Sequence, residues 1–266
     1  MDLLSLFLFV LGLIVGSFLN VLGLRYNSGV SVGGRSFCVV CRKKLHWWEL
    51  VPVVSFIGLR GKCSECKTGI SYQYPLVEFL TGLMFVTVFK ALIHYSMFGA
   101  GKFTFLYLVA VAVYSIYIVI GIYDARHKII PDSLSFAALA LALVFRFMIG
   151  GLWLDMLAGP IIFSFFALVW LLSRGRMMGF GDAKLALSIG VLLGAANGFS
   201  AFVLAFWIGT VSTLLYMFLY KLHIRYKGER HLTMKSEVPF APFLILGAWL
   251  ALVFHLDLFH VLSFIH

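Results

Sequence analysis

Long apolar runs dominate the chain, and their lengths predict its architecture. About eight stretches approach the 20 or so residues that an α-helix needs to cross a bilayer. They lie near residues 2–24, 75–98, 103–123, 133–149, 153–172, 184–197, 199–220 and 239–258. None of them alternates polar and apolar residues as the strands of a membrane β-barrel do. The pattern therefore predicts an all-α polytopic membrane protein with about eight transmembrane helices.

One sizeable polar segment interrupts the apolar pattern and divides the predicted chain into three parts. A first transmembrane helix covers residues 1–24, a small loop domain covers 25–74, and a membrane domain covers 75–266. The first apolar run has no basic start and no small-residue cleavage site, so we expect an uncleaved span. Trp47 and Trp48 in the loop domain are expected at the level of the lipid headgroups, where amphipathic rings are favoured.

Composition and charge agree with a membrane protein and orient it. The chain is 62% hydrophobic and 12% charged, with a formal net charge of +10, which excludes an ordinary soluble domain. Most lysines and arginines fall in the loop domain and in later loops on the same side, whereas only Lys90, Lys102 and Arg146 fall on the other. The positive-inside rule then places the loop domain in the cytoplasm and both termini outside. Because the basic residues follow this topology, the charge does not indicate a nucleic-acid partner.

The four cysteines form two CxxC motifs in the loop domain, Cys38 with Cys41 and Cys63 with Cys66, with 21 residues between the pairs. Two such motifs can supply four thiolates to one tetrahedral zinc ion. A cytoplasmic location disfavours disulfides, because that compartment is reducing. A redox role is the alternative, but no βαβ pattern accompanies the motifs. Four cysteine ligands leave no open position, so the predicted zinc is structural.

Two aspartates stand at the ends of predicted spans, on the same side of the membrane. Asp124 ends the third span, where the helix dipole disfavours a negative charge. Asp182 lies in the turn Gly179-Phe180-Gly181-Asp182, whose glycines suit a close approach of backbone to a neighbour. A structural alternative makes Asp182 the N-cap of the next helix. Ionisable groups at a membrane edge are costly and point to function.

Two carboxyl groups held close together can share one proton, as in aspartic proteases. The ionised group takes a proton from water, and the protonated group donates to the carbonyl oxygen and then to the leaving amine. This chemistry needs neither a metal nor a covalent intermediate. Asp124 and Asp182 are therefore candidate catalytic residues of a peptidase.

Four further positions have two interpretations each or serve the candidate site indirectly. Glu78, one turn into the second span, either faces the same aqueous cleft as the aspartates or is a first-turn acid favoured by the dipole. Asp132 is typical of a helix start. Glu49, between the cysteine motifs, is either a polar contact for a small molecule or a solvated charge. The two prolines of segment 237–243 predict an irregular helix entry that closes one wall of a site.

The residues match a known family in several places along the chain. The chain resembles the type IV prepilin peptidases, which are bifunctional leader peptidases and N-methyltransferases of the GxGD class of membrane aspartic proteases. The resemblance rests on the first-span segment Gly16-Ser17-Phe18-Leu19-Asn20-Val21, the paired CxxC motifs, Pro75-Leu76-Val77-Glu78, Asp124 with Ile130-Pro131-Asp132, Gly179-Phe180-Gly181-Asp182-Ala183-Lys184, and Pro239-Phe240-Ala241-Pro242-Phe243.

The resemblance implies a specific activity for the chain. Asp124 and Asp182 align with the catalytic aspartates of the family. The implied substrate is a type IV prepilin or pseudopilin precursor, cut after a glycine on the cytoplasmic face of the inner membrane. The family then methylates the new N-terminal amine with S-adenosylmethionine, and Glu49, Gly61 and Lys62 are the candidate residues for binding this donor.

The chain departs from the family pattern at two places. Arg25-Tyr26-Asn27 stands where the family has Arg-Leu-Pro, and Glu49-Leu50-Val51-Pro52 stands where it has Glu-Asn-Ile-Pro. The second change lies in the loop domain and therefore concerns methyl transfer rather than proteolysis.

Two other classes of protein also place acids in a membrane. A proton-coupled transporter uses them as a proton relay, but it predicts internal repeats that the sequence does not show. A non-catalytic assembly protein of a secretion machine would use Asp124 and Asp182 only as helix caps. Changing each aspartate to asparagine distinguishes a protease from a scaffold, because only the protease loses an activity.

Overall fold

The computed structural model describes residues 2–29, 31, 33–150, 153–176, 178–227 and 239–258, and eight α-helices order this part of the chain. They are α1 (Leu3–Arg25), α2 (Val54–Gly58), α3 (Gln73–Leu92), α4 (Ala100–His127), α5 (Asp132–Ile149), α6 (Trp153–Ser173), α7 (Phe180–Lys227) and α8 (Ala241–Phe254). Two short 3₁₀ turns, Trp47–Leu50 and Ile93–Phe98, complete the helical elements of the described residues.

The all-α membrane architecture is confirmed, with a different distribution of spans. In the part of the chain that the structure describes, six helices are long and apolar enough to cross a membrane: α1, α3, α4, α5, α6 and the part of α7 from Phe180 to Tyr220. The predicted spans 184–197 and 199–220 are both contained in α7. The predicted last span is the shorter apolar helix α8.

Helix α7 is interrupted at one residue, and the sequence places the interruption slightly wrongly. Gly194 is non-helical, with φ 77° and ψ −170°, whereas residues 197 and 198, where the predicted spans 184–197 and 199–220 meet, are helical. Gly194 adopts this conformation because it has no Cβ. Partners on α5 and α6 then satisfy the backbone groups that the interruption frees, as described below.

Two compact units make up the structure, residues 1–107 and 108–266, with the boundary inside α4. In the first unit α1 packs against α3 through small residues. A Cβ on Gly12 would lie 2.7 Å from the Cα of Gly82, and one on Gly16 would lie 2.8 Å from the Cα of Glu78. Small residues allow this approach of membrane helices. The predicted division at residue 74 stays a prediction.

In the second unit α7 packs against α5, α6 and α8. Two buried tyrosines of α4 also bond to this bundle. The Tyr114 hydroxyl donates to the carbonyl of Ala248 on α8 (3.1 Å), and the Tyr117 hydroxyl bonds to the hydroxyl of Ser188 on α7 (3.0 Å). These bonds fix the C-terminal half of α4, which carries Asp124, against the two helices that supply the rest of the candidate site.

An ion pair on α5 and α6 caps both sides of the interruption in α7. Arg146 donates through Nε to the carbonyl of Val191 (3.1 Å) and through Nη2 to that of Leu192 (3.0 Å). Asp155 accepts a hydrogen bond from the Ala195 N–H (2.9 Å) and pairs with Arg146 (3.7 Å). The cation thus meets the C-terminal end of the first half-helix and the anion meets the N-terminal end of the second, as the helix dipoles favour.

Candidate active site

Asp124 lies in the last turn of α4 and is buried, with 5% of its surface exposed. Its Oδ2 accepts a hydrogen bond from the backbone N–H of Ala241, the first residue of α8, at 3.2 Å. The N-terminal end of α8 therefore offsets the unfavourable position of a carboxylate at the C-terminal end of α4. Ala241, within the predicted wall segment 237–243, thus contacts Asp124, while 237 and 238 lie outside the described residues.

Asp182 is the third residue of α7 and has 9% of its surface exposed. Its N–H donates to the carbonyl of Gly179 at 3.3 Å. Because α7 begins at Phe180, Asp182 is inside the first turn and is not the N-cap residue. The alternative that made it a cap is therefore wrong, although a first-turn acid still benefits from the dipole.

The two carboxyl groups are electrostatic neighbours, since the charge of Asp124 acts on Asp182. A close contact between the α4–α5 connection and the start of α7 accounts for this. A Cβ added to Gly181 would lie only 2.8 Å from the Cβ of Ile130. Gly181 is thus required because the absence of a Cβ lets the two segments approach. Its φ is not in the left-handed region, so backbone conformation is not the reason for a glycine here.

A second contact joins the same two segments. Lys184 Nζ bonds to Oδ1 of Asp132 at 2.7 Å and lies 5.8 Å and 5.2 Å from the ring centroids of Phe136 and Phe180. Asp132 is the first residue of α5, which confirms its prediction as a helix-start residue. Its largely exposed side chain forms an ion pair with Lys184.

Glu78 lies in α3 of the first unit, beyond the first turn of that helix, so its interpretation as a first-turn acid is wrong. A position in the same aqueous cleft as the aspartates stays a prediction. Glu78 is buried, and its Oε2 accepts a hydrogen bond from the Val53 N–H at 2.8 Å. Val53 has φ 60°, which is unusual for a β-branched residue. Glu78 therefore holds a strained corner of the loop domain, 25–74.

The four cysteines come together as predicted. All four sulfur atoms lie within 4.8 Å of one another, and the Sγ atoms of Cys38 and Cys66 are 3.8 Å apart. The thiols are free, and a disulfide would need a sulfur separation of about 2.05 Å. The cluster could therefore hold a metal ion.

Each CxxC motif forms the same tight turn, which we call the first knuckle (residues 37–44) and the second knuckle (62–69). An isolated antiparallel bridge closes each knuckle. The N–H of its first cysteine, Cys38 or Cys63, donates to the carbonyl five residues later, at 2.9 and 2.8 Å. The residue after its second cysteine, Arg42 or Lys67, has a positive φ of 61° or 59°. The chain thus builds two equivalent halves of one thiolate site.

Glu49 connects the two knuckles and is not the solvated charge that one interpretation predicted. Only 1% of its side chain is exposed. Its carboxylate accepts hydrogen bonds from Lys43 Nζ (3.2 Å), the Ser64 hydroxyl and the His46 N–H (2.8 Å). Burial opposes its ionisation, but the hydrogen bonds from Ser64, His46 and Lys43 outweigh burial and lower the pKa of Glu49 to about 2.

Gly61 and Lys62 lie at the start of the second knuckle. Gly61 has φ 65°, and a Cβ there would lie 3.0 Å from the Phe56 ring. Lys62 is exposed. Ser64, two residues on, is the residue that bonds to Glu49. The structure therefore brings the three candidate donor-binding residues to one part of the loop domain.

Two family models match this chain. The bacterial peptidase A24 N-terminal domain matches residues 10–92, and the type IV leader peptidase family matches residues 111–214. A protein of Pseudomonas putida named prepilin leader peptidase/N-methyltransferase is 30% identical over 275 residues, which cover 92% of this chain and 88% of that protein. The chain belongs to the type IV leader peptidase family.

Other relatives of this leader peptidase family member carry the same name. A Bacillus subtilis protein is 30% identical over 251 residues, which cover 93% of each chain. A Myxococcus xanthus protein is 34% identical over 196 residues, which cover 71% of this chain and 56% of that protein. No solved structure matches the chain. The resemblance inferred from the sequence motifs is confirmed.

Sequence reasoning missed several polar residues that shape this family member. Ser17 and Asn20 are three residues apart on one face of α1. Asn20 is fully buried, and its side-chain amide donates to the carbonyls of Gly16 (3.3 Å) and Tyr74 (3.2 Å). Polar residues at helical spacing within an apolar span are the signal that could have found them. Nothing local in the sequence indicates that Ala241 is a partner of Asp124.

Proposed function

We propose that this chain is a membrane aspartic endopeptidase that removes the leader peptide of type IV prepilin-like precursors and N-methylates the new N-terminal residue. The observation that carries the proposal is the buried pair of Asp124 and Asp182, at the ends of two segments that meet where Gly181 packs against Ile130. Relatives that align with more than 90% of the chain are named for both activities.

The geometry supports different roles for the two carboxyl groups. The Ala241 N–H and the N-terminal end of α8 stabilise negative charge on Asp124. We assign Asp124 as the base that takes a proton from the attacking water, whose oxygen bonds to the carbonyl carbon. Asp182 carries the shared proton and gives it to the carbonyl oxygen. The proton on Asp124 then passes to the leaving amine as the peptide bond breaks.

The test is co-expression of the full chain with a prepilin precursor and mass analysis of the precursor. Asp124→Asn and Asp182→Asn should each lower cleavage by roughly 10²–10⁴-fold, the usual contribution of a general acid or base. Asp132→Asn is the matched control, because it removes a carboxyl group from the same region at an exposed ion pair. Such pairs contribute little to stability. Cleavage at the wild-type rate by either of the first two variants would disprove the assignment.

A structural zinc ion fits the four-cysteine cluster. Zinc–sulfur bonds of about 2.3 Å in a tetrahedron give sulfur–sulfur edges of about 3.8 Å, which is the separation of the Cys38 and Cys66 sulfur atoms. Four thiolates complete the coordination shell. The ion would connect the two knuckles and would take no part in peptide hydrolysis.

We assign binding of the methyl donor S-adenosylmethionine to the loop domain. Bound there, the donor supplies an activated methyl group. Lys62 is open to such a contact because its side chain is exposed, whereas the backbone N–H and carbonyl of Gly61 already bond to Phe56 and Ile70. Glu49 already accepts three hydrogen bonds within the loop. We therefore assign to Glu49 the role of positioning the second knuckle.

The proposed location is the inner membrane, with the aspartates and the loop domain at the cytoplasmic face. The basic residues of 25–74 and of the loops that follow α4 and α6 support this orientation. Part of the last basic loop, 228–238, lies outside the described residues. Prepilin or pseudopilin precursors are the proposed partners, since their apolar segments would share the bilayer with the enzyme.

A further inference from the structure

The two knuckles have the same backbone geometry but different tips. Between its cysteines the second knuckle carries the polar residues Ser64 and Glu65, whereas the first carries Val39 and Val40. These valines are 77% and 60% exposed, although they belong to a polar segment outside the membrane helices. Adjacent exposed apolar side chains at the tip of a rigid turn are suited to insertion into a membrane interface.

A positively charged cavity lies in the same knuckle. It has a volume of about 390 Å³ and is lined by Arg35, Phe37, Arg42 and Lys44. The Arg42 guanidinium stands 5.5 Å from the centre of the Phe37 ring. Among the described residues, no acidic side chain forms an ion pair with any of the three cations. A cavity with three unneutralised positive charges attracts an anion.

The first knuckle is also held close to the end of a membrane helix. Arg25, the last residue of α1, donates through Nη1 to the carbonyls of Ser31 (2.8 Å) and Gly34 (3.2 Å). Its guanidinium lies 5.9 Å from the centre of the Phe37 ring. The segment that leads into the cavity is therefore folded onto the end of a helix that is long and apolar enough to span a membrane.

We propose that the first knuckle is a membrane-interface anchor whose cavity binds the phosphate of an anionic phospholipid while Val39 and Val40 enter the headgroup region. Basic clusters beside the end of a transmembrane helix attract anionic headgroups. Apolar side chains next to such a cluster add interfacial insertion. A soluble phosphate would satisfy the cavity but leave both valines in water, whereas a lipid satisfies both. The anchor would hold the loop domain against the bilayer, independently of either catalytic activity.

The test is native mass spectrometry of the full, metal-loaded chain released from detergent that contains equal amounts of phosphatidylglycerol and phosphatidylcholine. Wild-type protein should retain phosphatidylglycerol at least fivefold more strongly. Arg42→Gln should weaken phosphatidylglycerol binding about fivefold or more. Lys67→Gln is the matched control, because it removes one charge at the equivalent position of the second knuckle, and binding should change less than twofold. Val39→Ser/Val40→Ser should also weaken binding.

Four results would overturn the proposal. Arg42→Gln could bind phosphatidylglycerol as wild type does, which would exclude the cavity. Lys67→Gln could weaken binding equally, which would reduce the effect to net charge. Inorganic phosphate at equal concentration could displace the lipid completely, which would make the cavity a site for a soluble anion. Val39→Ser/Val40→Ser could bind phosphatidylglycerol as wild type does, which would lead to the same conclusion. Metal content of each variant, measured by elemental analysis, verifies that the knuckles remain folded.

Discussion

A carboxylate near the C-terminal end of a membrane helix is unfavourable for two reasons: burying its charge is costly, and the helix dipole repels it. Asp124 could therefore be singled out from the sequence as a candidate functional residue, together with Asp182 as a second candidate. The hydrogen-bond partner of Asp124 could not be recognised. Ala241 is 117 residues away in sequence, and a backbone N–H leaves no trace in residue type.

The glycine before Asp182 leads to a prediction at this scale. Gly181→Ala should lower precursor cleavage by about tenfold or more, because the new Cβ would lie 2.8 Å from the Cβ of Ile130. Relieving such an overlap typically costs about 1–3 kcal/mol, and here it would separate the α4–α5 connection from Asp182. Initial rates of precursor cleavage by the purified full chain measure the effect.

Gly179→Ala provides the matched control for that prediction. A Cβ on Gly179 would meet no atom closer than Oδ2 of Asp182 at 3.7 Å, so cleavage should fall by less than about threefold. Equal loss in the two variants would show that the glycines serve turn flexibility, and that close packing against Ile130 is unimportant.

Among the elements, α7 shows where pattern reasoning reaches its limit. Apolar length predicted two spans, and Asn197 with Gly198 resembled a typical break. The actual break is at Gly194 because Arg146 and Asp155, from two other helices, satisfy the backbone groups freed there. The cysteine cluster was predictable for the opposite reason, since all four cysteines follow from spacing within one segment.

The position of the break can be tested by thermal unfolding in detergent. Gly194→Ala should lower the free energy of unfolding by about 1–3 kcal/mol. A Cβ there would lie 2.5 Å from Arg146 Nη2 and 2.6 Å from Asp155 Oδ1, at a φ that side chains rarely adopt. Gly198→Ala should shift the melting temperature much less, because its nearest neighbour is Gly190 Cα at 3.4 Å. A larger shift for Gly198→Ala would place the structural break where the sequence pattern suggested.

On the scale of the whole molecule, the features assigned to the two activities fall in different units. The cysteine cluster, Glu49, Gly61 and Lys62 belong to residues 1–107, and both aspartates belong to residues 108–266. One family model matches within each unit. Each activity should therefore be removable without the other.

Cys63→Ser should lower methylation of the mature N-terminus by at least tenfold, because it removes one of the four thiolates that hold the knuckle beside Gly61 and Lys62. Cleavage should change by less than about threefold. Asp182→Asn should do the reverse: it should lose cleavage but still methylate a peptide supplied with its leader already removed. Mass analysis reports both events on one substrate, and elemental analysis should show that only the cysteine variant loses its metal. If Asp182→Asn also failed to methylate the pre-cleaved peptide while remaining folded, the two activities would share a site, and the assignment of methyl transfer to the loop domain would be wrong.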